Sequence, residues 1–272
     1  MANVLIIGCG DTGGRLAVLL AGAGHGVTGV RRSAHALPGV TMLQADITRP
    51  FRLDIAPPDY VFILLSPGES SREAYDRCFL GGLENLQAAL GGAVPRRVFF
   101  VSSTSVYGES AGEWVDEATP PRPAGFNGEV LLQAEARAAA AWPAVSVVRF
   151  AGIYGEGRLR LLRWVQAGRP VDPALWSNRI HVQDAARLLA FLLERDLAEQ
   201  PLEPLYLGVD DLPVLQAEVL DWLAARRGLP PVPRQPAGDG GQGRRISNGR
   251  IRALGFRPVF PDYRAGYGSI VA

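Results

Sequence analysis

The sequence predicts an α/β fold in which helices cover both faces of a doubly wound parallel sheet. Two observations carry this prediction. Short runs of β-branched and aromatic residues alternate with longer segments of helical apolar spacing, and a glycine-rich turn directly follows the first of those runs. Both are typical of the Rossmann-type arrangement. The 272 residues suffice for one such core with a small C-terminal region.

Six runs predict strands, because each is short and rich in β-branched or aromatic residues: 3–7, 26–30, 40–44, 59–65, 97–101 and 145–149. The run 59–65 is almost wholly apolar, as in a central strand that is buried on both faces. Apolar residues at helical spacing predict helices over 12–23, 70–90, 129–141 and 183–195. The segment 229–248 is crowded with proline and glycine, so we expect a mobile loop there, over or beside a site.

The composition argues against several classes of function. The net charge of +1 gives no bulk field that would attract nucleic acid or an anionic membrane, and no apolar run approaches the length of a membrane span. Cys9 and Cys78 are too few for a disulfide scaffold, which favours a reducing, cytoplasmic location. His25, His35 and His181 show no ligand spacing, so we expect no metal site.

The chain contains no lysine, and all 28 of its basic residues are arginine. A GC-rich coding genome is the simplest explanation of this bias. The chemical consequence is the same whatever the cause. A P-loop cannot be completed, no lysine Schiff base can form, and no lysine can lower the pKa of a neighbouring group.

The glycine-rich turn has the pattern G-x-G-x-x-G between the first strand and the first helix, at 8–13. The first glycine permits a tight turn, the second lets the backbone approach a pyrophosphate, and the third lets helix and strand pack closely. The helix N-terminus offers N–H groups and a positive dipole end to the phosphates. We therefore expect a dinucleotide site that includes Gly8, Gly10, Asp11, Thr12 and Gly13. A turn that serves only strand-to-helix packing is the alternative.

The second predicted strand is followed by Arg31 and Arg32, roughly 20 residues after the glycine-rich turn. An NAD-binding unit usually places an acidic residue there for the ribose 2′-hydroxyl, and the acid is missing here. Two guanidinium groups can instead form charge-assisted bonds with a 2′-phosphate, each worth about 1.5 to 3 kcal/mol. We expect NADP as the cofactor, with NAD as the second choice; a solvated arginine pair is the alternative.

Five further segments give the sequence a family resemblance: Ala-Asp-Ile at 45–47, Ser-Ser-x-x-Val-Tyr-Gly at 102–108, Arg-Phe-Ala-Gly-Ile-Tyr-Gly at 149–155, Ile-His-Val-x-Asp at 180–184 and Leu-Gly-Phe-Arg-Pro at 254–258. With the glycine-rich turn, their order resembles the extended short-chain dehydrogenases/reductases, the NAD(P)-dependent sugar epimerases and dehydratases. The resemblance covers nearly the whole chain. It implies a dinucleotide-binding core over 1–150 and a region over 151–272 that completes the core and binds substrate, as one structural unit.

The resemblance also implies roles for individual residues. Ser103 would hydrogen-bond a carbonyl or hydroxyl of the substrate, and Asp46 and Ile47 would contact the adenine. The remaining residues that we assign to the cofactor are Leu65, Ser66 and Phe150, and those that we assign to the substrate are Thr104, Tyr154 and His181.

One departure from the family pattern concerns the general acid and base. The family uses a tyrosine with a lysine four positions later, and aligning Glu135 with the family's helix glutamate puts Asn127 and Leu131 at these places. Neither can do this chemistry, so the chain is similar to atypical members that lack the dyad. Ser103, Tyr107 and Asn127 are the remaining catalytic candidates. Asn127 could instead be a helix N-cap.

Two classes of function stay open. The first is an NADP-dependent oxidoreductase or epimerase-like enzyme that acts on a small polar or sugar-like substrate. The second is a non-catalytic redox sensor that binds NADP and NADPH, with the loop at 229–248 as its responsive element. The sequence does not decide between a monomer and a homodimer.

Overall fold

The computed structural model describes residues 1–235 and 242–271. Numbered along this part of the chain, the strands are β1 (Asn3–Ile7), β2 (Gly26–Arg31), β3 (Val40–Gln44), β4 (Tyr60–Ile63), β5 (Arg97–Ser103), β6 (Ala111–Val115), β7 (Val145–Phe150), β8 (Gly152–Tyr154), β9 (Trp176–Ser177), β10 (Arg179–His181), β11 (Leu205–Gly208), β12 (Val214–Leu215) and β13 (Gly243–Ile246). The helices are α1 (Asp11–Gly22), α2 (Arg72–Tyr75), α3 (Gly82–Ala89), α4 (Phe126–Ala141), α5 (Arg160–Gln166), α6 (Val182–Leu197), α7 (Gln216–Arg226), α8 (Gly249–Ala253) and α9 (Tyr263–Val271). A π-helical turn, Asp76–Gly81, joins α2 to α3, and a 3-10 turn, Thr104–Val106, follows β5.

Contacts within the chain divide it into two compact units. The first unit comprises Met1–Val106, Pro123–Arg149 and Ala186–Tyr206. The second unit comprises the described residues of Tyr107–Arg122, Phe150–Ala185 and Leu207–Ala272. Each unit is therefore assembled from three segments that alternate along the sequence. This division follows different bounds from the expected 1–150 and 151–272.

The main sheet has seven strands in the order β11-β7-β5-β4-β1-β2-β3. Strand β1 pairs in parallel with both β2 and β4, and the pairs β2 with β3 and β4 with β5 are also parallel. The strand order reverses at β1. In open α/β sheets, the crevice at the carboxyl ends of the strands on either side of such a reversal is where ligands bind. The predicted doubly wound parallel sheet is confirmed.

Strand β4 lies at the centre of the sheet, and all four of its residues are buried. The ring of Phe62 stacks on that of Phe99 in β5, with the ring centroids 4.6 Å apart. Such aromatic pairs contribute about 0.5–1.5 kcal/mol beyond the burial of their surface. The prediction of a buried central strand from the apolar run 59–65 is therefore confirmed.

A buried carboxylate ties the last segment of the first unit to the sheet. Asp196, in α6, accepts hydrogen bonds from Tyr60 Oη at 2.8 Å, from Arg97 Nε at 2.7 Å and from Arg96 Nε at 3.0 Å. The Asp196 side chain is only 7% exposed, so these donors replace its hydration. Residues far apart in sequence thereby stabilise the unit together.

In the second unit, the apolar core forms around α7. Leu220 and Leu223 of this helix are fully buried in one cluster with Tyr154, Tyr263 and Tyr267. Short strand pairs complete the unit: β8 with β10 and β6 with β13 are parallel, and β9 with β12 is antiparallel.

The strands and helices predicted as far as residue 195 are confirmed, with bounds that shift by a few residues. The prediction of a loop throughout 229–248 is wrong in part. Gly243–Ile246 forms β13 because its main chain pairs with β6, and Val232 and Ile246 are buried. Residues 236–241 of that segment lie outside the described residues. Among the described helices, none has both the length and the apolar character that crossing a membrane requires.

Candidate functional site

The glycine-rich turn between β1 and α1 is held by the chain's own packing at its first and third glycines. Gly8 has φ +86°, and a Cβ there would lie 2.0 Å from the carbonyl oxygen of Leu64. A Cβ at Gly13 would lie 2.5 Å from the carbonyl oxygen of Gly8. Neither neighbour can move easily because both are backbone atoms. The first and third glycines are therefore required by the fold, as the motif predicts.

The second glycine behaves differently. The nearest atom to a Cβ built at Gly10 is the Gly8 carbonyl oxygen, 4.0 Å away. Gly10 also lines a cavity, and no side chain caps the N-terminus of α1 that it begins. Nothing in the described chain requires a glycine here, whereas a phosphate group that approaches the backbone would require one. The turn therefore fits a dinucleotide pyrophosphate.

The first cavity, which lies in the first unit, has a volume of about 470 Å³. Its walls are the carboxyl ends of β1, β2 and β4 and the segment after β3, as expected for a site at the reversal of the strand order. Eight of the predicted cofactor residues line it: Gly8, Gly10, Arg31, Arg32, Asp46, Ile47, Leu65 and Ser66. Asp11, Thr12, Gly13 and Phe150 are not among its lining residues.

Charged groups of both signs line the first cavity. Arg31 is half-buried and Arg32 is exposed, and the positive charge of Arg32 acts on the Asp46 carboxylate. Asp46 accepts hydrogen bonds from the backbone N–H and the hydroxyl of Thr48, at 3.0 and 2.8 Å. The backbone bond from Thr48 is the main reason why the pKa of Asp46 lies below its usual value. Asp46 is therefore a fixed acceptor, and the two guanidinium groups are available to a ligand.

Several lining residues of the first cavity were not predicted, among them Ser33, Thr48, Gly68, Arg77 and Cys78. The first three follow strands at the carboxyl edge of the sheet, so their position along the chain could have indicated them. Arg77 and Cys78 come from the π-helical turn, which no sequence pattern indicated. Burial raises the pKa of Cys78 to about 11, so this thiol is not a nucleophile at neutral pH.

The predicted catalytic residues Ser103 and Asn127 both lie in the first unit. Ser103 ends β5, and its hydroxyl oxygen accepts a hydrogen bond from the Ser105 N–H at 3.1 Å, which leaves its own proton free to be donated. Helix α4 packs directly on the 3-10 turn after β5, because a Cβ at Gly128 would lie 2.4 Å from the Ser105 carbonyl oxygen. This close packing places the start of α4, and hence Asn127, beside the Ser103 segment.

Two observations define the start of α4 further. The helix N-cap is Gly125 and no side chain caps it, so the alternative that Asn127 is the N-cap is wrong. Asn127 lies inside the first turn, because the helix already begins at Phe126. Leu131, at the place of the family's lysine, is buried at 4% exposure.

Tyr107, the third catalytic candidate, lies in the second unit. It is buried at 1% exposure, and its hydroxyl donates to the carbonyl oxygen of Asp116 at 3.4 Å. Its proton is therefore already directed at a backbone acceptor. Thr104 belongs to the 3-10 turn of the first unit, and Phe150 packs its ring against Gly208.

The predicted substrate residues Tyr154 and His181 are both in the second unit. The Tyr154 hydroxyl donates to the Asp262 carbonyl oxygen at 3.1 Å, and burial raises its pKa far above the usual value, so it is a poor proton donor. His181 is fully buried and its ring lies 3.8 Å from that of Phe260. Of the two residues, only Tyr154 lines a described cavity.

That second cavity belongs to the second unit and has a volume of about 600 Å³. Its lining includes Tyr154, Trp164 and Tyr267 together with five arginines: Arg158, Arg160, Arg163, Arg169 and Arg179. The basic run after Gly157 could have indicated four of these arginines from the sequence. Among the described residues, no group of three or more His, Cys, Asp or Glu side chains is arranged to hold a metal ion.

A comparison with known proteins identifies the class. The profile of the NAD dependent epimerase/dehydratase family matches residues 4–203, which is most of the chain. The chain belongs to this family, and the resemblance found in its motifs is confirmed. It is thus an NAD(P)-dependent oxidoreductase or epimerase-like enzyme, with a nicotinamide dinucleotide as its cofactor class.

Three individual proteins show how far the similarity extends. The chain is 27% identical over 280 residues to protein YeeZ of Escherichia coli, with 96% of this chain and 97% of YeeZ covered. A structure from Methylobacillus flagellatus, assigned to the NAD-dependent epimerases/dehydratases, is 39% identical with a TM-score of 0.81 and covers 99% and 97% of the two chains. MoeE5 in complex with UDP-glucose and NAD is 26% identical, with a TM-score of 0.81 and the same coverage.

Proposed function

We propose that this protein is an NADP(H)-binding, epimerase/dehydratase-like oxidoreductase that acts on a small polar or sugar-like substrate in the cytoplasm. The observation that carries the proposal is the first cavity, which is lined by the glycine-rich turn, Asp46, Arg31 and Arg32 together. MoeE5, which is similar over nearly its whole length, binds UDP-glucose and NAD. That similarity supports a sugar-like substrate for this chain.

The cofactor preference rests on the arginine pair. NAD carries a ribose 2′-hydroxyl, for which a carboxylate at the end of β2 would be the suitable acceptor, and this chain has none there. A 2′-phosphate would accept charge-assisted hydrogen bonds from Arg31 and Arg32, which line the first cavity together. We infer a preference of roughly ten-fold to a hundred-fold for the phosphorylated cofactor.

When bound, the nicotinamide supplies the acceptor or donor of a hydride. Ser103 donates its free hydroxyl proton to the reacting oxygen of the substrate and so polarises it, while its own oxygen stays fixed by the Ser105 N–H. The Asn127 side chain holds a ribose or substrate hydroxyl beside the same segment. Tyr107 is the weaker proton donor of the candidates, because its hydroxyl already donates to Asp116.

A second candidate function has one specific observation in its favour. The place of the family's lysine is taken by the buried Leu131. The chain contains no lysine at all that could lower a tyrosine pKa. A protein that binds NADP and NADPH without converting them, and so senses their ratio, would need no such group. Activity measurements separate the two functions.

Binding of NADPH and NADH, followed by cofactor fluorescence, tests the proposal. NADPH should bind about tenfold or more tightly than NADH to the wild type. The variant Arg31→Asp with Arg32→Ala should lose this preference, because a carboxylate repels the 2′-phosphate. Arg52→Ala, an exposed arginine of the same unit outside the cavity, is the control and should bind as wild type. Equal affinities of wild type for both cofactors would refute the NADP assignment.

A screen of reductase and epimerase substrates then addresses turnover. Ser103→Ala should lower turnover by about 10²-fold with little change in NADPH binding, as the loss of one positioned donor does. A screen that finds no substrate, together with tight NADPH binding, would favour the sensor function over the enzyme.

A further inference from the structure

One wall of the first cavity comes from the π-helical turn and from the segment that precedes α2. Arg77 of the turn lines the cavity, and so do Gly68 and Glu69 of that segment. π-helical turns are rare inside helices, and they occur frequently at functional sites. This wall therefore adds charged groups to those that follow β2 and β3.

The helices around the π-helical turn are fixed against the segment that follows β3. In α3, a Cβ at Gly82 would lie 3.2 Å from Cγ1 of Ile47, and the Asn85 side chain donates to the Ile47 carbonyl oxygen at 2.9 Å. On the other side of this contact, Ala74 of α2 and Cys78 of the turn both line the cavity. The turn is thus carried on a fixed support at the edge of the cavity.

Arg32 extends from the end of β2 to this same wall. A Cβ at Gly68 would lie 3.7 Å from Nη1 of Arg32, so this guanidinium group lies against the segment that carries Glu69. Burial raises the pKa of the Cys78 thiol, and the positive charge of Arg32 opposes that shift. Arg32 is therefore also close to the turn that carries Arg77. Two guanidinium groups, from different elements, thus serve one end of the cavity.

Arg77 forms an exposed ion pair with Glu69 at the cavity wall. Nη2 of Arg77 lies 3.6 Å from Oε1 of Glu69, which is too long for a hydrogen bond, and the two side chains are 61% and 68% exposed. The Ser71 hydroxyl donates to the same Glu69 oxygen at 3.3 Å. Exposed ion pairs contribute little because water screens them. A ligand with a higher negative charge can therefore replace Glu69 as the partner of Arg77.

We propose that Arg77 binds the 2′-phosphate of NADP(H) together with Arg32, and that Glu69 competes with this phosphate for Arg77. This assignment rests on the proposed function, in which the first cavity holds the phosphorylated cofactor. A 2′-phosphate carries a charge of about −1.5 to −2 at pH 7 and has three acceptor oxygens, so it serves more than one guanidinium group. NADH lacks the phosphate and gains nothing from Arg77. Glu69 and Arg77 thus set how strongly the protein distinguishes NADPH from NADH.

Fluorescence titrations of the full chain with NADPH and NADH test this assignment. Arg77→Gln should weaken NADPH binding about fivefold or more and leave NADH binding within about twofold of wild type, because only NADPH uses the guanidinium group. Arg77→Lys, which keeps the charge but not the planar fork, should recover part of the NADPH affinity. Glu69→Gln should act in the opposite direction and tighten NADPH binding about two- to fivefold, since it removes the competing carboxylate. In the Arg77→Gln background, Glu69→Gln should change NADPH affinity less than about twofold.

The chain offers a matched control for these variants. Arg137 of α4 is also an exposed arginine of the first unit that pairs with a glutamate, Glu84, but it does not line the first cavity. Arg137→Gln should bind both cofactors like wild type. Competition by adenosine 2′,5′-bisphosphate and by 5′-AMP isolates the phosphate, since only the bisphosphate should bind more weakly to Arg77→Gln than to wild type.

The outcomes separate this assignment from the proposed function. A wild-type preference for NADPH that Arg77→Gln retains unchanged would overturn the role of Arg77 and leave the cofactor proposal intact. Equal losses of NADPH and NADH affinity in Arg77→Gln would also overturn that role, because the residue would then act on the fold or on a part that both cofactors share. Weaker NADPH binding by Glu69→Gln would overturn the competition. Equal affinities of wild type for the two cofactors would overturn the cofactor proposal, and this assignment with it.

Discussion

The two glycines that begin the glycine-rich turn should respond differently to alanine, because only one of them is required by the fold. At Gly8 an added methyl group meets the Leu64 carbonyl oxygen at 2.0 Å, and φ is +86°. At Gly10 the nearest atom would be 4.0 Å away. Gly8→Ala should therefore destabilise the protein, whereas Gly10→Ala should chiefly weaken cofactor binding.

The magnitudes follow from these distances. The left-handed backbone costs about 1–2 kcal/mol for a residue with a side chain, and relieving the contact adds about 1–3 kcal/mol, so Gly8→Ala should lose roughly 2–5 kcal/mol. Gly10 has φ −86° and ψ −137°, at the edge of the extended region, and its alanine variant should lose about 1 kcal/mol or less. At roughly 2–4 °C per kcal/mol, the expected drops in Tm are about 4–20 °C and below about 4 °C.

Thermal denaturation and NADPH fluorescence titration measure the two effects separately. Gly10→Ala should bind NADPH at least about tenfold more weakly, because the methyl group occupies the space through which the pyrophosphate approaches the backbone. Gly22→Ala, also in α1 but with no atom within 4 Å of its added methyl group, should bind normally and be as stable as wild type or more so. Unchanged NADPH affinity in Gly10→Ala would refute the reasoning, and so would unchanged Tm in Gly8→Ala.

Three further predictions concern the fold and the missing dyad. Asp196→Ala should lower the free energy of unfolding by about 2–4 kcal/mol in urea denaturation, because it leaves buried donors without an acceptor; a loss below 1 kcal/mol would contradict this. Burial raises the pKa of Glu117, so the folded state holds its proton more tightly than the unfolded chain does. The free energy of unfolding should therefore fall as the pH rises through the raised pKa, and Glu117→Gln should flatten that part of a pH series of denaturation curves. Wild type should show no measurable turnover of a panel of nucleotide sugars with NADP⁺, and Asn127→Tyr with Leu131→Lys should gain some; rapid turnover by wild type would mean that another group supplies the proton.

The sequence predicted the sheet and its helices well because their signals are local. Residues 4–7 form an unbroken aliphatic run, 8–13 carry the glycines, and the helix that follows has its own apolar periodicity. The same local logic placed Arg31 and Arg32 at the end of β2, where they line the first cavity. For these two arginines, the position at the carboxyl end of a predicted strand was sufficient to predict that they lie at the edge of the sheet.

Most of the second unit gave no comparable signal. Strands β9 and β12 have two residues each, which is too short for the alternation of apolar and polar residues to repeat and be recognised. Their pairing depends on main-chain contacts between segments that are distant in sequence, as does that of β13. Short strands of this kind are decided by tertiary packing rather than by propensity.

The cavity residues that the sequence did not indicate were missed for the same reason, because tertiary packing decides their surroundings. Arg179 reads as one more arginine among 28, and only the tertiary structure shows that it is buried with a donor left unpaired. Conversely, Tyr154 and His181 stand in motifs that indicate a site, but their side chains are buried and largely engaged by neighbours in the second unit.

The alternation of segments between the two units limits how this gene can be divided. A fragment that stops at residue 150 lacks Ala186–Tyr206, and with it the carboxylate of Asp196 that holds Tyr60 and Arg97. Such a fragment would keep the whole glycine-rich turn and yet lose an acceptor that its own sheet needs. No single cut separates the coding sequence into two parts that each retain every segment of one unit, so neither unit can be exchanged between relatives by recombination at one point.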